Sequence, residues 1–398
     1  MILQMYNFYV TIYLVKFMHK IGIICEYNPF HNGHLYQIKK IKETYKDSLI
    51  IVCLSSCFMQ RGEASILNKW DKTRLAIESG VDLVLELPFA FATQYQDIFA
   101  KGALTILNHL KIDTLVFGSE CNDIELLKNL ASIQLKDDGY NHLVKRYLDL
   151  GLNYPTSLSK ALFDISGVKL DKPNDLLALA YVKEIIKNNY DIEPFSIGRT
   201  SDYHNSNLDS DIVSASTIRK LLKDGVNVNN YLPYNIYDYL SEIDEDKYFA
   251  LLKYQIINNI DCLDKFQTVD EGIENRIIKY INMVNSKEEL ILKVKSKRYT
   301  YNKINRMFTH ILTNFTKEDA KNLEIEYLRV LGFNTRGKNY LNKIKKDIDI
   351  PIINKYIPNM YKCLDIEFRV SLIYSLILKD KGDDFLKREY RNKPVIYD

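Results

Sequence analysis

Five short apolar runs, at residues 21–25, 49–54, 83–87, 114–117 and 195–197, are each followed by a polar or glycine-bearing loop and usually by a stretch with helical spacing. Most of these runs are too uniformly apolar to be half-exposed antiparallel strands, so they read as parallel strands covered on both faces. The spacing predicts helices over about 35–45, 72–79, 96–109 and 175–188, with a helical insertion over 123–170. The expected class is α/β, a doubly wound, Rossmann-like parallel sheet over residues 18–225. Beyond 226 apolar residues keep helical spacing, so a mainly α-helical second domain without further strands is expected over 226–398. Residues 1–17 are apolar and tyrosine-rich but lack a basic start and a small-residue cleavage site. They read as a mis-called start or a disordered extension, with Met18 the expected first residue.

Formal charge is only +3, from 54 basic and 51 acidic residues among 398, so any nucleic-acid surface must come from local clustering. Six scattered cysteines fit neither a zinc site nor a disulfide framework, and no apolar run is long enough to span a bilayer. A soluble, cytoplasmic protein is expected, with no membrane contact and no obligate protein partner. One cluster does occur: Lys293, Lys295, Lys297, Arg298, Lys303 and Arg306 lie in a stretch, 291–310, that holds no acid and carries Tyr299, Tyr301 and Phe308. A solvated helix face is the commoner meaning of such a run. The aromatics and the absence of acids favour contact with RNA phosphates.

The first apolar run leads through a Pro-bearing turn into His31-Asn32-Gly33-His34 at a helix start. A helix N-terminus offers unpaired N–H groups and a partial positive charge, and Gly33 allows close approach of phosphates to the backbone. His31 and His34, three residues apart, can hydrogen-bond phosphate oxygens as charge builds during attack at the α-phosphorus of ATP. The competing readings are a chance H-x-x-H or half a metal site, and no further ligands are placed for the latter. Farther on, Ser214, Ser216 and Arg219 open another helix. Alone they form a helix cap; paired with the first motif they form the second half of a phosphate clamp.

These two motifs resemble the H-x-G-H nucleotidyltransferase superfamily. The blocks E-Y-N-P-F-H-N-G-H (26–34), Q-R-G-E (60–63), K-W (69–70), E-L-P (86–88), D-I-F-A-K-G (97–102), F-G-S-E (117–120) and P-N-D (173–175) narrow this, resembling the tRNA(Met) cytidine acetate ligase family. S-K-R-Y-T (296–300) and L-G-F-N (331–334) extend the likeness into the tail. The resemblance implies an enzyme that activates acetate with ATP as acetyl-adenylate, then acetylates N4 of the wobble cytidine of elongator tRNA(Met). It implies an ATP site made of Ile24, Cys25, Glu26, Tyr27, Asn28, Pro29, Phe30, His31, Asn32, Gly33, His34, Leu35, Tyr36 and Gln37, with Gly118, Asn174 and Arg199. Mg2+ would arrive with ATP rather than in a protein cage. Two other readings stay open: a small-molecule adenylyltransferase of cofactor synthesis, and a non-catalytic RNA-binding protein that senses nucleotide.

Four further features carry smaller expectations. The Q-R-G-E loop follows the second strand and so lies on the ligand side of the sheet. Glu86 is expected to be structural, Trp70 to pack beneath the Q-R-G-E loop, and Asp97 to pair with Lys101 on an exposed helix face. Ser56 and Cys57 stand in a loop where a glycine is expected.

Overall fold

Runs of Ile, Val and Leu form strands here because the middle of a sheet covered on both faces keeps nearly every position dry, as in Leu49–Ser55 and Leu83–Leu87. The computed structural model describes residues 18–198, 211–391 and 393–398. The expectations for residues 1–17 and for Arg199 fall outside the described residues. Five strands lie in parallel: β1 (Lys20–Cys25), β2 (Leu49–Ser55), β3 (Leu83–Leu87), β4 (Thr114–Ser119) and β5 (Glu193–Gly198). Their order is β5-β4-β1-β2-β3, and β2 is buried at every position. Chain progression reverses between β1 and β4, which opens a crevice beyond their carboxyl ends.

The intervening helices are α1 (Asn32–Thr44), α2 (Lys69–Glu78), α3 (Gln96–His109), the insertion α4 (Ile124–Lys136), α5 (Asp138–Asp149) and α6 (Tyr154–Ser166), then α7 (Pro173–Asn188) and α8 (Ala215–Lys223). Their starts follow local chemistry. Asn68 caps α2 by accepting from the Trp70 and Asp71 amides, and Asn153 caps α6. Among the described residues no helix is long and apolar enough to cross a membrane.

The remainder is mainly helical: α9 (Glu245–Asn258), α10 (Ile273–Ile281), α11 (Lys287–Val294), α12 (Tyr301–Leu312), α13 (Thr335–Ile344), α14 (Lys362–Leu376) and α15 (Gly382–Arg391). It also corrects the expectation that no strand follows residue 226. β6 (Leu328–Asn334) runs antiparallel to β3, pairing Leu83 with Phe333 and Leu85 with Val330. The short strands β7 (Ile352–Ile353) and β8 (Val395–Tyr397) pair with β6 in turn. The strand Leu-Arg-Val-Leu-Gly-Phe-Asn is hard to read because Arg329 breaks its apolar pattern, and its reason is electrostatic. Arg329 Nη1 lies 3.0 Å from Glu86 Oε2, and its Nη2 lies 2.8 Å from Glu389 Oε1. Lys69 Nζ completes the cluster at 2.7 Å from Glu86 Oε1 and 3.0 Å from Glu389 Oε1, all four side chains being fully buried.

Glu86 is thus a structural anchor, as expected. Trp70 packs against this cluster, its ring 5.8 Å from the Arg329 guanidinium carbon. Asp97 does not pair with Lys101. Its carboxylate reaches across to Lys183 of α7 at 2.8 Å, because both are half-sheltered between packed helices while Lys101 faces solvent. Ser56 and Cys57 need no glycine, since neither has positive φ.

His310, on α12, is fully buried. Its Nε2 lies 2.7 Å from the Thr93 carbonyl, and its Nδ1 faces both the Gln267 carbonyl at 3.1 Å and the Thr268 hydroxyl at 3.2 Å. Burial holds its pKa down, at about 4 instead of 6.5. The unfolded chain therefore binds a proton there between pH 6.5 and 4 that the folded chain does not. Stability is full above pH 6.5 and falls as the pH drops towards 4, by about 3 kcal/mol from this group alone. Urea titrations should show His310→Gln losing less stability over this interval than the parent; equal slopes would refute the assignment.

Candidate active site

The turn after β1 is built around two imidazoles. His31 is the N-cap of α1, with extended backbone (φ −139°, ψ 172°), and its Nδ1 accepts from the Gly33 amide at 3.0 Å. His34 Nδ1 accepts from the His31 amide at 3.2 Å, which closes a reciprocal capping box made of two histidines. Accepting at Nδ1 assigns the neutral ring its proton on Nε2, so each ring presents an Nε2–H donor. The rings stack, with centroids 3.7 Å apart. Gly33 has a second reason to be glycine: a Cβ there would come within 2.8 Å of His31 Cε1.

The residues leading into this turn are packed rather than exposed. Cys25, Tyr27, Asn28, Pro29 and Phe30 are buried, and Ile24 and Glu26 partly so. Tyr27 packs edge-on against Phe30 and His34, with positive φ (45°), a conformation a bulky residue holds only under constraint from its surroundings. Burial pushes the Cys25 thiol far up, leaving it protonated. On α1, Leu35 packs against the core while Tyr36 is exposed, and Gln37 reaches towards the Val116 carbonyl at 3.5 Å.

Across the crevice the F-G-S-E and P-N-D blocks clasp each other. Asp175 Oδ1 accepts from the Ser119 hydroxyl and the Glu120 and Cys121 amides at 2.7–3.0 Å. Glu120 accepts from Asn174 Nδ2 at 2.6 Å and from the Asp175 amide at 3.1 Å. This fixes the exit of β4 against the start of α7, with Asn174 held to Glu120. His31, Gly33, His34, Tyr36, Gln37, Gly118, Ile197 and Gly198 line a cavity of about 70 Å³. That is well under the roughly 300 Å³ of a full ligand pocket, so a nucleotide seated here would lie largely in the open crevice. A larger cavity of about 560 Å³, between α13 and the approach to β7, is lined by none of the motif residues.

The second motif is placed beside the turn, but its arginine does something other than expected. Arg219 Nη1 donates to the Asn28 carbonyl at 2.7 Å, and Nη2 pairs with Glu63. The guanidinium thus braces the turn and the Q-R-G-E loop instead of standing open to a phosphate. Ser214 caps α8, and its hydroxyl lies within 2.8–2.9 Å of those of Ser216 and Thr217.

Glu26, read as part of the ATP site, also holds the Q-R-G-E loop, and Lys72 escaped the sequence reading altogether. Glu26 accepts from the Gln60 amide at 2.6 Å, and burial raises its pKa. Lys72, fully buried, donates to the carbonyls of Glu26, Ser55 and Ser56 at 3.1, 2.6 and 2.8 Å, tying together the carboxyl ends of β1 and β2. Its pKa falls to about 8 because burial disfavours its charge. A lysine at helical spacing looks like any solvated lysine, so only the fold reveals this role. Among the described residues no group of three or more His, Cys, Asp or Glu side chains converges as a metal site.

The basic cluster divides in two. Lys293, Lys295, Lys297 and Arg298 are exposed. Lys303 and Arg306 are not open cations: Lys303 Nζ sits 3.9 Å from the centroid of the Tyr299 ring, and burial lowers its pKa. Arg306 donates to the Gln60 and Gln94 carbonyls at 3.4 and 3.1 Å, and Gly62 packs against its backbone. The spacing of α12 turns these two inward, where their charge organises loops.

Residues 18–389 match the HIGH Nucleotidyl Transferase family. Named tRNA(Met) cytidine acetate ligases are similar over nearly their whole length. The protein from Caldicellulosiruptor bescii is 39% identical over 94% of this chain and 98% of its own; that from Bacillus subtilis is 36% identical over 96% and 98%. Among solved structures, apo Thermotoga maritima TmcAL superposes with a TM-score of 0.87 at 28% identity, covering 95% of this chain and 99% of its own. The same protein bound to alpha-thio ATP gives 0.84 at equal identity and coverage. With its two-histidine turn at the strand switch point and this similarity along the whole fold, the chain belongs to the tRNA(Met) cytidine acetate ligase family.

Proposed function

We propose that this chain activates acetate with ATP and transfers the acetyl group to N4 of the wobble cytidine of elongator tRNA(Met). The observation that carries the proposal is the pair of Nε2–H donors at the N-terminus of α1, held in place by their own Nδ1 hydrogen bonds. An acetate oxygen attacks the α-phosphorus, the bond to the bridging oxygen breaks, and diphosphate leaves with its electron pair. His31 and His34 stabilise charge on the phosphoryl oxygens, and the partial positive end of α1 adds to this. The cytidine amine then attacks the acetyl carbon, AMP departs, and the amine gives up a proton. No covalent enzyme intermediate is required.

Gly118, on β4, and Asn174, held to Glu120 at the start of α7, are the residues offered to the rest of the nucleotide. Ser214 and Ser216 offer hydroxyls to the outgoing diphosphate. Mg2+ would travel with the triphosphate. Lys293, Lys295 and Lys297 are the open cations offered to the RNA backbone, with Arg298, paired to Glu271, beside them. The purified protein with ATP, acetate and elongator tRNA(Met) should form N4-acetylcytidine, read by nucleoside mass spectrometry, and omission of any one component should abolish it. Absence of product from the complete mixture would overturn the proposal.

A further inference from the structure

Beside the basic strip lies an exposed aromatic pair that the site described above does not use. Tyr95, between β3 and α3, and Tyr154, which opens α6, meet edge to face with centroids 6.4 Å apart. They remain 41% and 47% exposed. Three contacts attach this pair to the rest. Arg306 holds the Gln94 carbonyl, next to Tyr95, and also that of Gln60. Asn153, next to Tyr154, donates to the Lys297 carbonyl at 3.2 Å. Arg298 donates to the Leu148 carbonyl at 3.4 Å.

The Gln60 amide is in turn held by Glu26 of the ATP turn, so the tyrosine pair is fixed relative to the histidines. Two cations adjoin the segments that hold it: Arg61 follows Gln60, and the Lys297 carbonyl holds Asn153. Arg61 and Lys297 are exposed, and neither makes an ion pair among the described residues. The neighbouring acids are compensated: Asp97 by Lys183, and Glu271 by Arg298.

We propose that Tyr95 and Tyr154 form a stacking platform for an unpaired base of the RNA substrate, with Arg61 and Lys297 taking the adjoining phosphates. The inference rests on the tRNA-acetylating reading and deepens it. A cytidine whose amine must reach an adenylate has to leave its stack, and unstacking costs free energy. Aromatic faces on the approach to the crevice supply replacement stacking to its neighbours, which duplex RNA, already stacked, cannot use. Exposed rings beside unpaired cations are the arrangement that single-stranded binding employs.

The test compares the full-length parent with Tyr95→Ala, Tyr95→Phe, Tyr154→Ala, Tyr154→Leu and Tyr154→Phe. Ligands are an anticodon stem-loop hairpin and a blunt duplex of the same stem, read by fluorescence anisotropy. A 2-aminopurine in the loop reports stacking. Each Ala variant should bind the hairpin about tenfold more weakly, lose the 2-aminopurine quench, and keep the parent's weaker duplex affinity. Phe should stay within about twofold of the parent, and Leu, which keeps apolar volume without a ring, should behave as Ala. The platform is overturned if Ala or Leu variants with the parent's melting temperature bind the hairpin normally, or if hairpin and duplex affinity fall together. A parent that binds neither RNA would overturn the tRNA reading along with it.

Discussion

Replacing His34 by alanine should lower acetate-dependent ATP–diphosphate exchange by two to three orders of magnitude, with a much smaller change in the KM for ATP. The size follows from losing one donor aimed at the reacting phosphoryl group, whose worth is expressed in the transition state. The ring also has a structural duty, since its Nδ1 accepts from the His31 amide. Loss of that cap should cost about 1 kcal/mol of stability. His34→Gln separates the two roles. Glutamine is a natural partner at this position of a capping box, so stability should return to near the parent's. Activity should recover only in part, because the amide donor starts from a different place. Parent-like exchange in both variants would show that the ring is only a cap.

Replacing Arg329 by methionine should cost about 3–5 kcal/mol in urea unfolding, because it leaves Glu86 and Glu389 buried with Lys69 as their single cation. Glu367 enters the same cluster, its Oε1 3.6 Å from Lys69 Nζ. Burial and the nearby Glu86 raise its pKa to about 7, so it is the carboxyl group most readily protonated when a cation is lost. Adding Glu389→Gln to Arg329→Met should restore part of the loss, since it removes an uncompensated charge. A loss below about 1 kcal/mol for Arg329→Met would mean that solvent reaches the cluster.

The parallel sheet was legible because its strands are apolar at nearly every position, a pattern with few alternatives. β6 was not, because Arg329 is buried only by virtue of Glu86 and Glu389, which lie far away in the chain. Asp97 shows the same limit: helical spacing suggested Lys101, whereas the partner came from α7. In the turn after β1 the imidazoles were legible as candidate phosphate donors, but their reciprocal cap was not, since histidine is not among the favoured N-cap residues. A charge run also cannot tell an outward lysine from one that serves carbonyls. Arg306 and Arg219 were both read as phosphate contacts, and both brace loops.

The late arrival of β6 bears on synthesis. A nascent chain that has completed its first five strands carries β3 as a bare edge, open to pairing with any extended segment. It also carries Lys69 and Glu86 without the guanidinium and carboxylate that later enclose them. Neither deficit is met until Leu328–Asn334 and Gly382–Arg391 leave the ribosome. The half that carries the two-histidine turn therefore reaches its final form only once Gly382–Arg391 has been made, and chains released before then are the ones most exposed to aggregation.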